Sequence, residues 1–103
     1  MSLDKITDYL FKSKTILEKT MKNKQSLSVS IFNDLRKAQY LINEANDLIK
    51  ESDYKKYYIV YNFDFLNEDL NYVLIDNFYN CVMNILDNVQ KSFDTLCKIQ
   101  LSL

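Results

Sequence analysis

The sequence predicts an all-α protein: a small antiparallel bundle of three to four helices, forming one domain over residues 1–103, with a long C-terminal helix. The 103 residues contain no glycine and no proline, whereas average usage would give about seven and about five. A fold without them has few tight turns. Apolar residues also recur every three to four positions over much of the chain, which is the period of an amphipathic helix. An AT-rich gene, indicated by the many asparagine, tyrosine and lysine residues, would also deplete glycine and proline, but the complete absence of both still favours helix.

The first helix is expected from Leu3 to Lys22. Ser2 or Asp4 can cap its N terminus, because short oxygen-bearing side chains accept the free backbone N–H groups there. Its apolar side consists of Leu3, Ile6, Leu10, Leu17 and Met21, with Ser13 at the intervening core step.

The second helix follows a polar break at residues 23–26 and has Ser26 or Ser28 as its candidate N-cap. It is expected to end near residues 51–53. Its apolar side is the most regular in the chain and consists of Ile31, Leu35, Ala38, Ile42, Ala45 and Ile49. The two alanines on this side allow a neighbouring helix to approach closely.

The last helix is predicted to run from Glu68 to about Leu101, with Asn67 as its cap. Its apolar side consists of Ile75, Phe78, Val82, Ile85, Val89, Phe93 and Leu96. At 1.5 Å per residue this helix would measure about 50 Å, which exceeds the diameter of about 30 Å of a small domain. Either the helix bends, or its overhang packs against another chain. The second is the prediction, because the helix contains no residue that typically causes a kink.

Residues 54–66 fit two patterns. Tyr54, Tyr58, Tyr61 and Phe65 lie on one helical face, whereas the alternation of Ile59, Tyr61, Phe63 and Phe65 is typical of a strand. The strand would have residues 72–75 as its only candidate partner, and a lone two-stranded hairpin is marginally stable in water. A helix is therefore the prediction, and a hairpin is the alternative.

Nine of the fourteen aromatic residues fall between positions 54 and 79. Tyrosine is enriched at the binding hot spots of protein interfaces, so this cluster is a candidate binding surface. The alternative is that the rings form core and that their hydroxyl groups reach the surface. The candidate partner-binding residues are Tyr54, Tyr57, Tyr58, Tyr61, Phe63 and Phe65.

The composition argues against catalysis. Without histidine the chain lacks the commonest general base and metal ligand, and without glycine it lacks phosphate-binding loops. We expect no enzymatic activity, no cofactor and no metal. Asp64, Glu68 and Asp69 lack the regular oxygen spacing and central glycine of a calcium loop, so they are interpreted as carboxylates at a helix start.

Cys81 and Cys97 are expected to be free thiols. On one straight helix, sixteen residues separate them by about 24 Å, which is too far for a disulfide. Free thiols are typical of a reducing cytoplasm. The N-terminal residues do not resemble a signal peptide, and no segment is apolar enough to span a membrane, so a cytoplasmic location is predicted.

Charge is divided unevenly between the two halves of the chain. Residues 1–56 hold eleven basic and eight acidic residues, a net charge of +3, and residues 57–103 hold two and six, a net charge of −4. This polarity could orient a partner or a second copy. Five lysines and one glutamate within residues 12–24 are interpreted as a solvated helix face, and nucleic acid is not expected as a partner. The five are Lys12, Lys14, Lys19, Lys22 and Lys24.

These observations predict a non-enzymatic protein–protein interaction module. The first expectation is a homodimer, joined through the long helix or the aromatic segment, that acts as a subunit, adaptor or chaperone. The alternative is a small inhibitor or immunity-type protein of a virus, phage or mobile element, which binds and blocks a target protein. Small size and missing catalytic residues fit both.

Overall fold

The structure, a computed structural model, describes residues 3–24, 27–67 and 75–103. Three α-helices are present in these residues: α1 (Leu3–Lys22), α2 (Val29–Lys50) and α3 (Ile75–Leu101). Two short 3-10 helices, Lys55–Tyr57 and Asp64–Asn67, lie between α2 and α3. None of the described residues forms a β-strand. The prediction of an all-α protein with a long C-terminal helix is confirmed.

The boundaries of α1 and α2 agree with their sequence signals. Helix α1 has the bounds predicted from its apolar period, and Ser13 is fully buried with its hydroxyl donating to the carbonyl of Leu10. Helix α2 begins after Ser28, whose hydroxyl accepts a hydrogen bond from the N–H of Ile31 at 3.3 Å. The other two serine candidates, Ser2 and Ser26, lie outside the described residues.

The core forms where α1 packs against both α2 and α3. Each helix buries the side that its period predicts. The buried apolar residues are Leu3, Ile6, Leu10 and Leu17 of α1, Phe32, Leu35, Ala38, Leu41, Ile42, Ala45 and Ile49 of α2, and Phe78, Tyr79, Val82, Ile85, Val89 and Leu96 of α3. Met21, Ile31 and Phe93 are half-buried at the edge of this core.

Helix α3 does not extend beyond the rest of the molecule in the way that the sequence predicts. Its described 27 residues correspond to about 40 Å, and the molecule is 48 Å long. Near its end Leu96 is buried, and Gln100 bonds to both Thr7 and Asp4 of α1. The predicted overhang is therefore wrong for these residues. The predicted first turns, residues 68–74, lie outside the described part of the chain.

The helix predicted over residues 54–66 is wrong. Residues 58–63 are neither helix nor strand, and the two 3-10 helices flank them. We call residues 54–67 the strap. The strap runs back along α2, because Ile59 bonds to Asn46 and Leu66 bonds to Arg36. This part of α2 is about 15 Å long, whereas residues 59–66 would cover only about 10 Å as a helix, which is consistent with the more open backbone that the strap adopts.

Candidate functional site

Asn46 of α2 fixes the centre of the strap. Its side chain is buried, with 2% of its surface exposed. The amide Nδ2 donates to the carbonyl of Ile59 at 3.0 Å, and Oδ1 accepts from the N–H of Ile59 at 2.9 Å. In extended backbone, the N–H and C=O of one residue point to the same side, so two strands exchange both bonds at such a position. One asparagine therefore takes the place of a neighbouring strand.

Side chains of α3 hold the other edge of the strap. Asn88 donates from Nδ2 to the carbonyl of Val60 at 2.9 Å, and Ser92 donates from its hydroxyl to the carbonyl of Tyr57 at 3.0 Å. The strap is thereby tied to both helices, since α2 bonds to it at Ile59 and α3 bonds to it at the next residue. Buried backbone groups usually have partners, and here side chains from distant parts of the chain supply them.

The side chains of the strap alternate between core and surface. Ile59 and Phe63 are buried, whereas Tyr58 and Val60 have 41% and 74% of their surface exposed. This alternation is the one that the strand alternative anticipated, although its hydrogen-bond partners are side chains. Val60, the most exposed of the four, is absent from the candidate residues predicted from the sequence. The alternating pattern could have identified it, because the residue after the inward-facing Ile59 is expected to face outward.

The six candidate partner-binding residues are divided between core and surface. Phe63 is part of the core, where it contributes packing and offers no surface to a partner. The exposed one is Tyr58. Those that are half-buried against the core are Tyr54, Tyr57, Tyr61 and Phe65. The proposed binding role of the cluster stays a prediction.

Ring contacts connect the strap to α2 and α3. Phe63 lies 5.6 Å from Tyr61 and 5.9 Å from Phe65, measured between ring centroids. Phe65 then meets Phe78 of α3 edge-on at 5.2 Å, and Phe78 stacks on Phe32 of α2 at 5.3 Å. Offset and edge-on pairs of this kind stabilise beyond their buried area. Much of the aromatic cluster therefore packs as core.

A groove opens where the strap separates from α3 beyond Val60. Its volume is about 410 Å³. The strap contributes Tyr61, Asn62, Asp64 and Phe65 beside Val60, and α3 contributes Cys81, Asn84, Ile85 and Asn88. A smaller groove of about 180 Å³ lies on the other side of the bond between Asn88 and Val60. Polar amides and apolar side chains thus line one continuous edge of the strap.

The tyrosines at this edge have a defined electrostatic setting. Burial raises the pKa of Tyr61, and Tyr58 and Asp47 raise it further. The Tyr61 phenol is therefore protonated at neutral pH and can donate a hydrogen bond. The ammonium group of Lys50 lies 5.3 Å from the ring centroid of Tyr58, a cation–π contact.

Both cysteines are free and half-buried. Burial raises the pKa of the Cys97 thiol, the carboxylate of Asp94 raises it further, and Lys14 opposes them. In a Cys81→Ser variant, which retains one thiol, we expect the alkylation rate with iodoacetamide to rise at a higher pH than for N-acetylcysteine amide, because the thiolate is the reactive form. Rates measured from pH 7 to 10 test this expectation.

Two further variants separate the causes of this shift. Asp94→Asn should lower the pH at which Cys97 reacts, and Lys14→Gln should raise it, because each removes one of the named charges. Asp87→Asn, at an exposed acid of the same helix, is the control and should leave the profile unchanged. A profile at or below that of the free thiol would contradict the shift.

Two of the five lysines between residues 12 and 24 pair with acidic residues of α1. Lys12 pairs with Asp8 at 2.9 Å and Lys14 pairs with Glu18 at 2.8 Å. Lys14 also lies 5.6 Å from the ring centroid of Phe93. These local contacts favour the interpretation as a solvated helix face.

No group of three or more cysteine or acidic side chains among the described residues could hold a metal ion. Asp64 is described, whereas Glu68 and Asp69 lie outside. None of the helices in residues 3–24, 27–67 and 75–103 has the length and apolar character needed to cross a membrane. No protein-family model, curated protein or solved structure matches the chain.

Proposed function

We propose that the protein is a non-enzymatic interaction module that binds another polypeptide through the outer edge of the strap. The observation that carries this proposal is the exposure of Val60 and Tyr58 on backbone held from both sides. Asn46 holds Ile59, which lies between these two residues, and Asn88 holds the carbonyl of Val60 itself. A surface ordered before binding loses less conformational entropy when a partner docks. Exposed apolar side chains on rigid backbone are therefore suited to recognition.

We also infer the helix directions of the bundle. Thr7 near the start of α1 bonds to Gln100 near the end of α3, and Phe11 contacts Phe93, which supports an antiparallel pair. Phe32 and Phe78 lie near the described starts of α2 and α3 and stack on each other. This stacking supports α2 and α3 running in the same direction, with the strap as the crossover that returns the chain.

A second copy of the chain is the first proposed partner. The overhang of α3 no longer supports a dimer, which leaves the aromatic strap as the proposed interface. Val60 and Tyr58 provide its apolar centre, and the opposite net charges of the two halves of the chain can orient the copies. Such a homodimer would serve as a subunit, adaptor or chaperone.

Substitution of Val60 tests the interface. At tens of micromolar, light scattering is expected to give the unchanged protein about twice its chain mass of 12.3 kDa. Val60→Asp should weaken self-association at least about tenfold, because a carboxylate would be desolvated at the centre of the contact. Val29→Asp is the matched control, since Val29 is a similarly exposed valine, at 64%, on the first turn of α2. Equal effects of the two substitutions would contradict the proposed interface.

The second candidate function is that of a small inhibitor or immunity-type protein, of viral, phage or mobile-element origin, that binds and blocks a different protein. A specific observation favours it: the core is closed by one chain, with α1 against both other helices and the strap covering them. Such a core needs no second copy. A monomeric mass for the unchanged protein at the same concentration would favour this candidate and rule out the homodimer.

A further inference from the structure

The hydrogen bonds between α3 and the strap form a ladder that stops at the groove. Ser92 bonds to Tyr57, and Asn88, one helical turn earlier, bonds to Val60. One more turn back along α3 is Asn84, and two residues further along the strap is Asn62. Both line the groove, and no hydrogen bond joins the side chain of Asn84 to any described residue. The groove therefore occupies the place of the next rung.

The backbone of Asn62 continues the strap edge towards α3. Ile59 directs its N–H and C=O to α2, and Val60 directs its carbonyl to α3. If the alternation from Ile59 to Val60 continues as in extended backbone, the N–H and C=O of Asn62 lie on the same side as the carbonyl of Val60, and this placement is part of our inference. Among the described residues nothing bonds to the N–H or C=O of Asn62. The oxygen of its side chain is already engaged, since Oδ1 accepts from the N–H of Asp64 at 2.7 Å.

The hydrogen bonds within the protein indicate which ligand group the two sides of this groove would bind. The amides of Asn46 and Asn88 both hold extended backbone, in this case the chain's own. Asn84 offers the same donors and acceptor on the α3 side of the groove. On the strap side, the backbone groups of Asn62 are unpaired within the described residues. A peptide group between the two sides could bond to both the Asn84 side chain and the Asn62 backbone. Ile85 and Phe65 provide apolar contact beside them.

The charge and the volume of the groove limit the class of ligand that it can bind. The carboxylate of Asp64 lines the groove, no described residue forms an ion pair with it, and none of the lining residues is basic. A volume of about 410 Å³ lies in the range of about 300–1,000 Å³ that is usual for ligand sites, which limits the occupant to a short segment. A lysine or arginine side chain on that segment would complement Asp64.

We propose that the groove between the strap and α3 binds a short extended segment of a partner protein, through its backbone and one basic side chain. This inference rests on the proposed interaction function and names the chemistry of the partner. The mode resembles the addition of a strand to a free edge, in which main-chain bonds supply affinity and side-chain pockets supply specificity.

The test is an NMR titration of the full-length ¹⁵N-labelled chain with the peptide Ac-Val-Lys-Val-NH₂. The backbone amide of Asn62 and the side-chain amide of Asn84 should shift. Asn84→Ala should weaken binding about fivefold, the effect of one lost hydrogen bond. Asn80→Ala is the matched control, because Asn80 is exposed on the same helix and does not line the groove. Its affinity should equal that of the unchanged protein.

Two further peptides test the backbone and the charge. A peptide methylated on the backbone nitrogen of its lysine should bind more weakly, because it loses a main-chain donor. Ac-Val-Glu-Val-NH₂ should also bind more weakly, because its carboxylate would lie beside that of Asp64. Equal binding of the three peptides, or equal effects of Asn84→Ala and Asn80→Ala, would overturn the proposal. If Asn84→Ala weakens self-association as strongly as Val60→Asp does, a second copy occupies the groove, and this also overturns the proposal.

The experiments distinguish a failure of the groove proposal from a failure of the proposed interaction function. If no peptide binds while Val60→Asp still weakens self-association and Val29→Asp does not, the groove proposal alone fails. If the Lys peptide binds while the protein is monomeric at every concentration, the groove proposal stands and the homodimer fails.

Discussion

Asn46→Leu is expected to lower the free energy of unfolding by about 2–4 kcal/mol. The substitution removes both bonds to Ile59 and leaves a buried N–H and a buried carbonyl without partners. Each such group costs about 1–3 kcal/mol, and the larger apolar side chain recovers part of this through burial. Urea denaturation followed by circular dichroism at 222 nm measures the change. Helix content in water should stay near its starting value, because the strap contributes little helix.

Two variants control for the chemistry of this site. Asn43→Leu changes an exposed asparagine on the same helix and should alter stability by no more than about 0.5 kcal/mol. Asn46→Asp keeps the shape and can still accept from the N–H of Ile59, but at neutral pH it places a carboxylate against the carbonyl of Ile59. It should therefore also be strongly destabilising. Unchanged stability of both Asn46 variants would show that the strap is held by something else.

The helices could be predicted because their signals are local. The apolar period of α1 fixed both its ends, and Ser28 supplied the cap of α2 from within one turn. Asn46 was missed although it lies beside Ala45 and Ile49 on the buried side of its helix. A polar residue at a core position indicates a hydrogen-bond partner elsewhere, but the sequence does not say where that partner lies.

The strap could not be predicted for the same reason. Its residues carry both a helical and an alternating pattern, and the alternation was correct for the side chains. The partners that stabilise the open backbone are 13 residues away at Asn46 and 35 residues away at Ser92. Such pairings depend on how the helices pack, and no local propensity encodes them. The candidate site shares this limit, since the groove exists only where the strap separates from α3.

Phe78→Ala is expected to be the most destabilising apolar substitution that we propose, at about 3–5 kcal/mol. Only 1% of the Phe78 surface is exposed, and its ring contacts those of Phe32, Phe65 and Tyr79 at centroid distances of 5.3, 5.2 and 5.4 Å. Alanine would lose the buried area and leave a cavity where α2, α3 and the strap meet. Thermal and urea unfolding measure the loss.

Phe11→Ala is the control for this substitution, because Phe11 is 52% exposed and its one described ring partner is Phe93 at 6.1 Å; it should cost no more than about 1 kcal/mol. A comparably small loss for Phe78→Ala would contradict the packing of the three elements.

The double variant of Asn46 and Phe78 adds a sharper criterion. Both residues hold the strap, so if it detaches as one unit the combined loss should be smaller than the two single losses added together. Full additivity would mean that the centre of the strap, held by Asn46, and its C-terminal part, held by Phe78, are stabilised independently.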